Sequence, residues 1–253
     1  MKTLSGTSGS CMILLVLYDM KTNLKPVIDY RQFRFSKLNT PEFSHLKWLI
    51  FWPFFGILFW IFELFRPAED CHVMFHPIDN IIPFCELFVI PYMFWFIYLV
   101  GMYLYTLFYD IGTFRCLMKF TVITYTAALV IYLVYPTCQE LRPMEFVRDN
   151  LLTRFMAGFY RFDSNTNVCP SIHVIGSLAV CFAGLHAPKL QKLRWKLFFP
   201  TAAVLICMAT VFLKQHSILD VFWAFPICWA AHRICWQKPK QSEKTKTLYT
   251  ENT

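Results

Sequence analysis

The chain has 253 residues, of which 57% are hydrophobic, 19% aromatic and only 16% charged. A typical soluble domain carries about 25% charged residues, so the composition and the length of the apolar runs argue against a soluble helical protein. The formal charge of +8 does not describe a nucleic-acid binder, because the basic residues fall in short segments between apolar runs rather than on one aqueous face.

Residues 1–45 read as a cytoplasmic or interfacial segment. Its apolar run Cys11–Tyr18 is eight residues long, too short to span, and no small-residue cleavage site follows it. Six segments then approach the roughly 20 apolar residues that a bilayer requires: Leu46–Phe65, Phe84–Phe108, Leu117–Tyr135, Ser171–Ala187, Leu197–Leu213 and Ser217–Trp236. The fourth is short, and Pro188 stops it. Pro53, Pro91, Pro200 and Pro226 fall inside spans, where neighbouring helices can satisfy the freed carbonyls. The expected fold is an all-α, polytopic membrane domain over residues 46–236, followed by a polar tail, 237–253, expected to be disordered.

With the N-terminus placed in the cytoplasm, 18 Lys and Arg residues fall on the inner side and six on the outer side. This satisfies the positive-inside rule and puts both termini in the cytoplasm. Two outer segments remain. Arg66 to Pro83 contains Glu69, Asp70, His72, His76 and Asp79. In the second, Pro136 to Pro170, the residues Met144, Val147, Leu151, Phe155 and Phe159 recur at helical spacing, which predicts an amphipathic helix on the membrane surface. The ten cysteines show no CxxC pair. Those inside apolar runs act as small hydrophobes, and Cys138 with Cys169 is the pair to weigh for an outer disulfide.

The chemistry concentrates at the outer starts of the fourth and sixth segments. The fourth opens Pro170-Ser171-Ile172-His173, with Pro at a helix start. The sixth opens His216-Ser217-Ile218-Leu219-Asp220. Both helix starts would offer free N–H groups and a positive dipole end, a setting that suits phosphate. His216 and Asp220 are four apart and share a helical face. The carboxylate can accept the imidazole Nδ1–H, leaving Nε2 to attack phosphorus. An ionisable residue a turn inside an apolar span is a functional candidate. His173 can protonate the leaving alkoxide, a step worth roughly 100-fold to 10,000-fold. Arg142, in Glu-Leu-Arg142-Pro143, is the first candidate for cradling phosphoryl oxygens, and Lys214 the next. For Arg148, Arg154 and Arg161 on the same side, contact with lipid headgroups is the simpler expectation. His72 and His76 with Cys71 make a poor metal set, since Pro77 breaks any helix that would align them.

The order Arg-Pro, then Pro-Ser-x-His, then His-x-x-x-Asp resembles the type 2 phosphatidic acid phosphatase superfamily, over roughly residues 84–236 and including the six-helix layout. That superfamily includes lipid phosphate phosphatases, undecaprenyl pyrophosphate phosphatases, glucose-6-phosphatase and vanadium haloperoxidases. The resemblance implies His216 as nucleophile, Asp220 as its orienting carboxylate, His173 as general acid, Ser171 hydrogen-bonding the phosphoryl oxygens and Arg142 binding phosphate. It implies no metal and no cofactor. Three places depart from the pattern. Tyr135 stands where the first motif has Lys, Ile172 replaces a Gly, and Ala209 and Thr210 stand where the third motif opens Ser-Arg. Lys214 is the residue that could replace one missing cation.

These departures resemble the branch typified by inositol phosphorylceramide synthase, whose members move a phospho-headgroup between lipids. The reading is therefore an integral-membrane lipid phosphate phosphatase working through a phosphohistidine on the extracytoplasmic side. A phospholipid or sphingolipid headgroup phosphotransferase and a catalytically degenerate relative are the alternatives. A transporter is disfavoured, because the ionisable residues gather near one face rather than mid-membrane. The substrate would be a lipid phosphate or phospholipid. The absence of a long soluble domain fits a bacterial cell membrane. The stretch His76-Pro77-Ile78-Asp79 to Pro91-Tyr92 also resembles bacterial members of the superfamily, and the sequence gives it no mechanism.

Overall fold

The computed structural model describes residues 25–65 and 70–236. The apolar run Cys11–Tyr18 and the polar tail lie outside them. The described chain is mostly helical. Its principal helices are α1 (Phe51–Phe65), α2 (Val89–Tyr109), α3 (Ile111–Val134), α4 (Leu151–Phe162), α5 (Ile172–His186), α6 (Leu193–Phe212) and α7 (Ile218–Trp236). Two-residue strands β1 (His72–Val73) and β2 (Thr137–Cys138) pair in parallel, His72 opposite Thr137. They join the two segments read as outer loops.

Five helical stretches are long and apolar enough to cross a membrane: Ser44–Leu64, Glu86–Tyr109, Ile111–Val134, Leu193–Phe212 and Ile218–Trp236. Their outward faces carry Ile57, Trp60, Ile97, Val130, Val204 and Trp229, all exposed. This is the pattern of helices that face hydrocarbon rather than water. The sixth expected span, α5, is apolar but has only 15 residues. Its surroundings account for this. It packs against α2, α3, α6 and α7, so protein rather than lipid covers it. Small residues make that packing possible. A Cβ on Gly176 would meet Trp95 and Tyr125 at 3.0 Å, and one on Gly184 would clash with the ring of Phe199.

Two helix starts and one helix phase differ from the sequence reading. Helix α3 begins at Ile111 rather than Leu117, because Asp110 caps it: the Thr113 amide donates to Asp110 Oδ1 at 3.0 Å. The segment 110–119, read as a loop, is thus helical, and its cations Arg115 and Lys119 are tolerated near a helix end because long basic side chains reach outward. The amphipathic helix starts at Leu151, with Asn150 and Thr153 forming a capping box, so Met144 and Val147 precede it. Its phase also differs. Leu151 and Phe155 face outward, whereas Leu152, Met156, Phe159 and Tyr160 pack with Val89, Tyr92, Ala209 and Leu213. The helix is apolar on two sides, and the sequence pattern shows only one of them.

The disulfide weighed between Cys138 and Cys169 is not formed, and both are thiols. Cys138 instead directs its sulfur to the Cys71 carbonyl at 3.7 Å. His72 stacks on Tyr135 at 4.0 Å, and His76 Nδ1 accepts from the Ile78 amide at 3.3 Å.

Candidate active site

Helix α6 ends in a turn that delivers His216 to the start of α7. The Leu213 amide donates to Ala209 O, and the amides of Gln215 and His216 both donate to Thr210 O at 3.0 and 3.1 Å. Closing this turn puts Lys214 at φ 53°, a left-handed conformation that costs an L-residue about 1–2 kcal/mol. The Lys214 ammonium offsets that strain by donating to the carbonyls of Asp79 and Ile82, each at 2.5 Å. Burial pulls this ammonium below its ordinary pKa, and Asp79 pulls it back up. Both contacts hold Lys214 against the 79–82 turn, a task the sequence did not suggest.

His216 Nδ1 lies 3.1 Å from Asp220 Oδ2. The same oxygen accepts the Ser217 amide at 3.0 Å, and Asp220 is fully buried. With Nδ1 carrying the proton, the imidazole donates to the carboxylate and leaves its Nε2 lone pair free. Helix α5 starts beside it, because the Ser171 amide donates to the Asp220 carbonyl at 3.1 Å. Ser171 is the N-cap of α5, its Oγ accepting from the Val174 amide at 3.4 Å. Of the first-turn amides of α5, those of Ile172 and His173 meet no acceptor among the described residues. The start of α7 differs from the expectation of free amides there. Ser217, Ile218, Leu219 and Asp220 all donate within the protein.

The His173 ring stands 5.8 Å from that of His216, at 63°. It is held between Tyr92 at 4.5 Å and Trp95 at 4.4 Å. Its Nε2 is buried with no hydrogen-bond partner among the described residues. An imidazole nitrogen so placed is expected to acquire a partner when a ligand arrives.

Arg142 reaches the site through Gln215. Its Nη1 donates to the carbonyls of Tyr160 and Asp163 at 3.0 and 2.8 Å, and its Nη2 to Ser164 O at 2.7 Å and Gln215 Oε1 at 2.6 Å. Gln215 in turn donates to Asp163 Oδ2 at 3.0 Å. The guanidinium lies 4.7 Å over the Tyr160 ring, and its Nε is buried without an acceptor among the described residues. Burial raises the Asp163 carboxyl above the ordinary range, while Arg142 and His216 oppose that shift. Asp163, Gln215, Tyr92 and Asp79 were not recognised from sequence as site residues. Only the adjacency of Gln215 to His216 and the acidic character of the 69–79 stretch pointed towards them.

Comparison with family models, with characterised proteins and with solved structures gives no match.

Proposed function

We propose that the protein is an integral-membrane lipid phosphate phosphatase that works through a phosphohistidine on His216. The observation that carries this reading is the juxtaposition of the buried Asp220–His216 pair with His173. One imidazole is fixed by a carboxylate at 3.1 Å, and a second stands 5.8 Å away, ring centre to ring centre, with an Nε2 that has no partner among the described residues. The residue order that resembles the type 2 phosphatidic acid phosphatase superfamily supports it.

In the proposed reaction the His216 Nε2 lone pair attacks phosphorus, and an N–P bond forms as the P–O bond to the lipid alkoxide breaks. His173 gives its proton to that alkoxide. Water then attacks the phosphohistidine, His173 takes a proton from it, and the N–P bond breaks to release phosphate and restore His216. Asp220 stabilises the cationic imidazole ring. The first-turn amides of α5 and the Ser171 hydroxyl are the donors assigned to the phosphoryl oxygens. Arg142 supplies positive charge beside them while holding the end of α4 and the two residues after it through three backbone carbonyls and Gln215 through its side-chain oxygen. Lys214 is assigned to positioning rather than to phosphate, given its two carbonyl contacts.

A second reading, transfer of a phospho-headgroup to another lipid alcohol, is favoured by the aromatic walls of His173. Tyr92 and Trp95 are both buried, and such surroundings limit water at the acceptor side. In either reading α5 completes a six-helix membrane domain, both termini are cytoplasmic, and the site faces the extracytoplasmic side of a cell membrane. Phosphate release from phosphatidic acid and from an isoprenyl pyrophosphate, with purified native protein and His216→Ala in detergent, tests the proposal. Loss of release in the variant supports it. Release by the variant at the native rate refutes it.

A further inference from the structure

Helix α7 has a capping problem that its own residues do not solve. The first N–H groups of a helix lack intrahelical acceptors. Ser217 Oγ takes the Leu219 amide at 3.2 Å, and Asp220 Oδ2 takes the Ser217 amide at 3.0 Å. The Ile218 amide instead donates to Asp79 Oδ1 at 2.9 Å, a residue from the first outer segment. The other Asp79 oxygen accepts the Ser217 hydroxyl at 2.6 Å and the His76 amide at 2.8 Å. Asp79 is 1% exposed. A carboxylate buried to that degree is stable only when its oxygens are hydrogen-bonded, and three donors meet it here.

The same turn also grips the other side of the catalytic histidine. Lys214 donates to the backbone carbonyls of Asp79 and Ile82. His216 therefore lies between two anchors, Lys214 before it and Ser217 with Ile218 after it, all fixed to residues 79–82. Ser217 is the link to the chemistry, because its amide shares Asp220 Oδ2 with His216 Nδ1. Fixing Ser217 fixes the carboxylate that orients the nucleophile. On its own side Asp79 is set by a closed turn, with its amide donating to His76 O at 2.8 Å. This gives the His76-Pro77-Ile78-Asp79 stretch a physical role.

We infer that Asp79 is a positioning residue: it caps α7 from another segment of the chain and sets the His216–Asp220 geometry without touching the substrate. The inference rests on the phosphohistidine reading for its kinetic consequence, but the capping itself does not.

The test compares Asp79→Ala, Asp79→Asn and Ser217→Ala with native full-length protein in detergent, using kinetics on phosphatidic acid and amide hydrogen exchange. Asp79→Ala is expected to lower kcat on the order of 100-fold with KM within about threefold, as misplacement of a reacting group does. Asp79→Asn, which keeps one acceptor oxygen and the shape, should lose less, and Ser217→Ala less again. Exchange at Ser217, Ile218 and Leu219 should quicken about tenfold or more in Asp79→Ala, with the α3 amides unchanged. Native kcat together with native exchange in Asp79→Ala overturns the inference. So does exchange that rises equally across the whole helical core, which marks a merely structural residue. If native protein releases no phosphate from any lipid phosphate, the proposed function fails, and exchange alone decides the inference: a local rise supports it and no rise overturns it. If Asp79→Ala does not fold, Asp79→Asn and Ser217→Ala carry the same comparison.

Discussion

The imidazoles of His173 and His216 stand 5.8 Å apart, centroid to centroid, at 63°. Their separation is set by backbone, because the Ser171 amide of one helix start donates to the Asp220 carbonyl of the other at 3.1 Å. In the proposed reaction a phosphoryl group occupies that gap, with His216 on one side and His173 on the other.

If His173 protonates the leaving group, His173→Gln should lower phosphate release from alkyl lipid phosphates by roughly 100-fold to 10,000-fold. A nitrophenyl phosphate, whose leaving group needs no proton, should lose far less. Parallel rate measurements on the two substrates read the difference. Equal losses would argue for a role in folding or binding instead.

Arg142 binds three backbone carbonyls and Gln215 with a fork that Lys cannot reproduce. Hydrogen bonds to a charged group contribute about 1.5–3 kcal/mol each, although neighbouring bonds are not additive. Arg142→Ala should therefore destabilise the protein by about 3 kcal/mol, and Arg142→Lys should restore only part of it. Denaturant or thermal unfolding in detergent measures both.

Gly184 faces Phe199 with no room for a methyl group. Gly184→Ala should destabilise by about 1–3 kcal/mol, the range for overpacking. Gly56, which has open space around its Cα, is the control: Gly56→Ala should be neutral or slightly stabilising. A melting comparison of the two variants decides.

Asp163 should make stability depend on pH. Burial raises its carboxyl pKa above the unfolded value of 3.8, against the pull of Arg142 and His216, while Glu63 pushes it further up. The folded state then holds a proton that the unfolded state has released, so this contribution to stability is present at low pH and falls as pH rises through the window above 3.8. Asp163→Asn removes the dependence. Its stability relative to native protein should improve as pH climbs through that window. A constant difference between the two would show that Asp163 does not titrate there.

The His216–Asp220 pair was readable because only four residues separate them, although His216 lies in the bend before α7 and meets Asp220 from outside the helix rather than along one helical face. His173 could be placed at the start of its helix from Pro170 and Ser171 alone. The partners of Arg142 could not be read, since Tyr160, Asp163 and Ser164 come to it across about 20 residues of loop and helix. Asp79 meets Ser217 across 138 residues, and nothing in the local pattern of either announces the other. Hydropathy found the apolar cores of the spans but placed the start of α3 late, because Arg115 and Lys119 lower the average while the backbone at both stays helical. The two-sided apolar character of α4 defeated a reading that assumed one face.

Covalent phosphorylation of His216, the step on which the proposed function depends, can be trapped directly. Native protein would be mixed with phosphatidic acid labelled in its phosphate, quenched in base within the first turnovers, digested and mapped. Acid-labile, base-stable label is expected on the peptide that carries His216, and none in His216→Ala. Label on another residue, or label-free native protein that still releases phosphate at a rate His216→Ala matches, would contradict that step.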